Sequence, residues 1–224
     1  MSYKSALFIS LLILPISFFA QSGQTADTVT RNKKMHITFD TFRAFQGTLQ
    51  LNFEKPVFRN SSLCVGLMGT WSQSNGIAKL YLGAQSFDMT TAEGKTIDKF
   101  ENTELTGLGI NLKYKSYLGK HPEVMNGLWF GPEVFYRQLG VQGTYFDNRN
   151  LQIAKKTLYL GYAGYAIGLQ KTLFDVLCFD TYIGGGFFYS KYSGDDFPTK
   201  NKQNYQIDYT GVYLNGSIAI GIVR

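Results

Sequence analysis

Beyond its first twenty residues the chain has no run of 18 apolar residues. No further spanning helix is therefore expected, and any membrane embedding must be by strands, since only helices and closed barrels satisfy backbone polar groups in lipid. Histidine and cysteine are equally scarce, with two of each. Neither His36 nor His121 has a second His or Cys at metal-ligand spacing, so no metal site is expected. Charged residues make up only 17% of the chain, and the net charge of +6 is scattered without a dense basic cluster. That pattern argues against a nucleic-acid partner and is compatible with a mild attraction to anionic lipid head groups. No phosphate-cradling glycine loop is present, and no cofactor is expected.

What the chain does have is alternation. In 209–223, Val212, Leu214, Ile218, Ile220 and Ile222 fall on every second position, with Tyr213, Asn215, Ser217, Ala219 and Gly221 between them. Such a strand has one oily face and one small or polar face. A membrane-spanning barrel strand needs about 9–11 residues of this pattern. Aromatic content of 16% and 24 glycines suit the same class.

The amino terminus reads as an export signal over 1–20: Lys4, then an apolar stretch from Ala6 to Phe19, then Ala20 before a cleavage point. Residues 21–34 are expected as a periplasmic extension and 35–224 as an outer-membrane β-barrel. Eight segments carry the alternation: 35–42, 48–55, 63–72, 105–118, 128–139, 157–171, 177–189 and 209–223. Short links alternate with long polar ones at 73–104, 142–156 and 190–208, as periplasmic turns alternate with outer loops. An even count of eight then puts both termini in the periplasm. The expected fold is all-β: an eight-stranded antiparallel up-and-down transmembrane β-barrel. The segment 77–82 is expected to help extend the first outer loop as a hairpin above the membrane.

By parity, Glu54, Lys113, Lys115, Glu133, Arg137 and Asp180 point to one side and the aliphatic residues to the other. An eight-stranded barrel has an interior just wide enough to be filled by side chains. The three acids are therefore expected to pair there with Lys113, Lys115 or Arg137. Periodicity alone is also compatible with the inverse, a soluble barrel with charges in water. Glycines on the polar face and the rings of Tyr114, Tyr136, Tyr159 and Tyr189 near strand ends favour the membrane arrangement. Cys64 and Cys178 fall on opposite walls of a ring roughly 16 Å across. A disulfide needs Cα atoms within about 7 Å, so free inward thiols are expected.

Several stretches resemble a family of small outer-membrane β-barrels of unknown function common in Bacteroidetes. They are Leu49-Gln50-Leu51-Asn52-Phe53-Glu54-Lys55, Asn111-Leu112-Lys113-Tyr114-Lys115-Ser116-Tyr117-Leu118, Gly127-Leu128-Trp129-Phe130-Gly131-Pro132 and Phe179-Asp180 followed by Ile183-Gly184-Gly185-Gly186. The chain departs from it at Lys113, Lys115 and Ser116, where the family has an acid, an arginine and a tyrosine. Arg224 stands where such barrels end in an aromatic residue. The resemblance implies the fold and no activity.

Lipid-modifying barrels need a serine beside a histidine at the outer leaflet. Ser72, Ser74, Ser86 and Ser190 lie on the expected outer side, but both histidines fall near the opposite end. Asp195-Asp196 and Asp147-Asn148 lack the ligand count of a Ca²⁺ loop. The expected role is non-enzymatic, envelope-structural or surface-interacting through the outer loops. The expected partners are outer-membrane lipids, lipopolysaccharide and, during assembly, the barrel-insertion machinery, with the protein a monomer. A narrow channel for small solutes is the alternative, and a lipid-modifying enzyme a more distant one.

Overall fold

The computed structural model describes residues 35–73, 78–87, 89–90, 96–97, 100, 102–119, 124–147, 150–195, 198–199 and 206–224. The expected signal and the extension over 21–34 lie outside the described residues, as does His121. In chain order the elements are β1 (His36–Asp40), α1 (Thr41–Phe45), β2 (Thr48–Phe58), β3 (Ser61–Gln73), α2 (Lys79–Gly83), β4 (Met89–Thr90) and β5 (Thr96–Ile97). Then follow β6 (Asn102–Tyr117), β7 (Gly127–Asp147), β8 (Asn150–Leu173), β9 (Leu177–Tyr192) and β10 (Gly211–Val223).

Eight of these strands close into a ring in the order β1-β10-β9-β8-β7-β6-β3-β2, each pair antiparallel. The remaining two, β4 and β5, pair only with each other in the link between β3 and β6. The architecture is an up-and-down, eight-stranded barrel. We call the end carrying Met35 and Arg224 the lower end; there the two residues exchange backbone hydrogen bonds of 2.7 and 2.8 Å.

Period-two alternation fixes which face of each strand looks inward. Ile218 is 44% exposed and Leu112 38%, whereas Lys113 is 3% exposed and Glu133 1%. Aliphatic side chains therefore clothe the outside and charges fill the axis, which excludes the inverse, soluble arrangement. On β7 the outward series Leu128, Phe130, Pro132, Val134, Tyr136 gives way to Gln138, Gly140, Gln142 and Thr144. On β6 Leu108, Ile110 and Leu112 give way upward to Thr106 and Glu104, and on β8 Tyr165 and Ile167 give way to Thr157 and Lys155.

Above that line the polarity reverses. Leu105, Leu139, Val141, Leu158 and Leu160 point inward and are almost fully buried. The barrel thus continues past its apolar belt as an oil-filled cylinder whose wall is polar up to Thr144, before Phe146, Leu151 and Ile153 turn apolar side chains outward at its top. Because of this, 142–156 is not a loop: β7 and β8 pair without interruption from Gly127–Gln170 up to Asp147–Asn150.

The first strand also departs from expectation. β1 pairs with β10 only from His36–Val223 to Asp40–Ala219. The chain then turns into α1, with the Asp40 carboxylate accepting the Arg43 backbone N–H at 3.0 Å as an N-cap. Gly47, at φ +70°, releases the chain into β2. Among the described residues no strand pairs with the far edge of β10 above Ala219. That seam is faced by α1 instead, and Thr41 Oγ1 donates to the Ile218 carbonyl at 2.8 Å.

Candidate functional site

The lower half of the lumen is a polar network anchored on Lys115. Its ammonium donates to Glu54 Oε2 and Asp180 Oδ2, both at 2.8 Å, and to Gln170 Oε1 at 3.1 Å, and is 1% exposed. All three ammonium protons are thereby used. Glu54 also takes Gln170 Nε2 at 2.9 Å, the Ser62 hydroxyl, and Tyr117 at 2.7 Å. Trp129 Nε1 donates to Asp180 Oδ1 at 2.9 Å, and its ring lies 4.8 Å from the Lys115 nitrogen. An alanine-sized side chain at Gly168 would sit 2.6 Å from that indole, so only glycine leaves room for it. His36 is buried and contacts Gln170 Nε2 through Nδ1 at 2.9 Å. It belongs to this network at the lower end of the barrel.

A second layer lies around Glu133. Lys113 approaches it at 3.6 Å and stands 3.8 Å from the centre of the Tyr182 ring. Asn111 and Asn215 donate to the two carboxylate oxygens at 2.7 and 2.9 Å, and Tyr182 donates at 3.1 Å. Asp40 is fully buried and receives Ser217 Oγ at 2.5 Å. Glu133 and Asp40 are thus each held by more than one hydrogen bond, which is what burial of a carboxylate demands.

Of the three basic residues expected to meet the acids, Lys113 and Lys115 do so, while Arg137 joins no carboxylate among the described residues. Its Nη2 donates to Thr48 and Thr70 Oγ1, both at 2.8 Å, and its Nε has no hydrogen bond. The carboxylates are drawn off by Lys113 and Lys115, four and six residues below Gly109, the partner of Arg137 on β6. A second buried arginine, Arg43 of α1, was not foreseen. It stacks 5.0 Å from the Phe135 ring, with Nε unbonded and 4.0 Å from Asp40.

The upper lumen is filled by the described residues of the link between β3 and β6, which fold inward where a hairpin above the membrane is expected. Leu82, Phe87, Met89, Ile97 and Phe100 are buried in one cluster with Leu105, Leu139, Leu158, Phe188 and Tyr192. A residue from the link after β9 pins it: Gln206 accepts the Ser86 N–H at 2.6 Å and donates to the Ala84 carbonyl at 3.2 Å. Gln85 returns the contact by accepting the Ile207 N–H at 2.7 Å. Burial pushes the Tyr81 phenol in this plug up to about 12. Cys64 and Cys178 are buried free thiols on β3 and β9.

The described residues bring no group of three His, Cys, Asp or Glu together as a metal site. Ser190, one of the outer serines, bonds Thr199, Thr210 and the Asp208 carbonyl, a structural clasp on the β9–β10 link.

No family model and no curated protein matches the chain. The chain is similar to the crystal structure of CarO from Acinetobacter baumannii, at 10% identity and a TM-score of 0.39, over 88% of this chain and 99% of that chain. A likeness that distant says nothing about role.

Proposed function

We propose that the chain is a non-enzymatic outer-membrane β-barrel, structural in the envelope or interacting through its outer surface, and that it works as a monomer. The observation that carries this is the reversal of polarity along one wall. The outside is apolar from Leu128 to Tyr136 and polar from Gln138 to Thr144, while the inside is charged below and apolar above. A hydrocarbon belt with a wettable extension accounts for both halves. Its partners are then membrane lipid, including lipopolysaccharide around the upper rim, and the insertion machinery during assembly. The narrow-channel alternative is disfavoured by Lys115, Trp129 and Tyr117 filling the lower axis and the apolar plug filling the mouth.

Detergent-extracted protein run on a gel before and after boiling tests the membrane fold. A faster band before boiling is expected; a single unshifted band defeats the reading. Planar-bilayer recordings are expected to show no steady conductance, and an open level of fixed size would restore the channel.

A further inference from the structure

The lower rim beside the closing strand carries two outward cations without a counter-ion. His36 pairs in register with Glu54 on one side and Val223 on the other, so one step lower Met35 lies between Lys55 and Arg224. By period two all three side chains point outward, and Lys55 and Arg224 are exposed. At about 4.8 Å per strand, the Lys55 and Arg224 Cα atoms stand about 10 Å apart across Met35. Neither cation forms an ion pair among the described residues. Glu54, next to Lys55 in sequence, points inward and is taken up by Lys115. Asp175 falls beyond Arg224, on the side away from Lys55. Arg59, exposed in the turn after β2, adds a further cation, and Lys33 and Lys34 directly precede Met35 in sequence.

Directly above this pair the same outward face is apolar, with Leu51 on β2, Ile37 on β1, and Ile220 and Ile222 on β10. Cations beneath an aliphatic wall match an amphiphile standing head down, with its hydrocarbon on the wall and its anion at the rim. A free phosphate would leave the wall unused. A zwitterionic head would bring an ammonium to a place where no acid stands between the two cations. On the membrane reading proposed above, on which this inference rests, the lower end meets the phospholipid leaflet.

We propose that the rim at Lys55, Met35 and Arg224 is a binding site for one anionic phospholipid. Its phosphate is clamped between the two cations, and its chains lie along Ile37 and Ile222. Because the clamp spans β2, β1 and β10, the bound lipid also ties the short closing strand to both of its neighbours.

The test uses full-length protein, delipidated in neutral detergent, and counts retained lipid by native mass spectrometry. The probes are dioleoylphosphatidylglycerol and dioleoylphosphatidylcholine. One phosphatidylglycerol is expected to be held at least tenfold more tightly than phosphatidylcholine. The double variant Lys55→Gln, Arg224→Gln is expected to lose that preference, and Lys155→Gln, at an exposed lysine of the upper wall, to keep it. Phosphatidylglycerol is also expected to raise the temperature at which the compact gel band disappears, in the parent protein and not in the double variant. Should the double variant fail to fold, each single variant is expected to weaken the preference at least threefold. Equal retention of the two lipids, an equal loss in Lys155→Gln, or displacement of the lipid by glycerol phosphate at the same concentration would each overturn the proposal. Absence of the heat-dependent gel shift from the parent protein would instead sink the membrane reading, so the two failures are distinguishable.

Discussion

The lower and upper halves of this barrel solve opposite solvent problems with the same strands. Below the line through Tyr136 and Leu108 the solvent-facing surface is aliphatic and the axis holds Lys113, Lys115, Glu54, Glu133 and Asp180. Above it the axis holds leucines and a folded-in link, and the outer wall carries Gln138, Glu104 and Lys155. In the lower half cohesion is directional, through ion pairs and hydrogen bonds in a low-dielectric interior. In the upper half it is non-directional burial of apolar area. Substitutions should therefore fail differently in the two zones.

The largest effect is expected at Lys115→Met. Removing the cation leaves Glu54 and Asp180 as uncompensated buried charges, at a cost of about 3–5 kcal/mol. Urea unfolding of the refolded barrel checks this, and a change under 1 kcal/mol would show that water enters the lower axis. Leu158→Ala, in the upper zone, should cost about 2–5 kcal/mol by leaving a cavity, with no dependence on ionic strength or pH. A matched pair of outward substitutions locates the border between the zones. Ile110→Arg is expected to destabilise the barrel in lipid by about 2–4 kcal/mol, and Gln138→Arg by no more than about 1. Equal costs at the two sites would erase the comparison. The smallest effect is expected at Gln206→Ala, which removes the tether to Ser86 and Ala84 and should cost about 1 kcal/mol. Faster protease cleavage of the plug link in intact cells, with the barrel body unaffected, is the readout.

Strand number, orientation and the inward acids and lysines were legible because a side-chain period of two assigns faces without knowledge of the partner strand. The first strand is shorter than its alternation predicts, five residues against the expected 35–42, and the signal for its end is in the sequence. Asp40 precedes Arg43 by the spacing of an N-cap, and Gly47 follows as a stop, yet Phe39 and Phe42 keep the segment looking oily throughout. The upward extension of β7 and β8 was hidden by the polarity reversal itself. Gln142 and Lys155 read as loop residues until they are seen on the wet side of a wall whose dry side is Val141, Tyr145 and Ala154. Phe87, Met89, Ile97 and Phe100 follow no period, so nothing in their spacing announces that they plug the mouth. Which of the three bases would meet the acids was not legible, because parity gives a face and not a height.

The closing junction has a mechanical consequence. Among the described residues the opening strand, His36 to Asp40, with Met35 and Thr41 flanking it, is all that fastens the cylinder to its final strand, whereas β7 and β8 are zipped along more than twenty. Pulled apart, or approached by another protein during assembly, the ring should come undone at this short clasp first and be fastened there last.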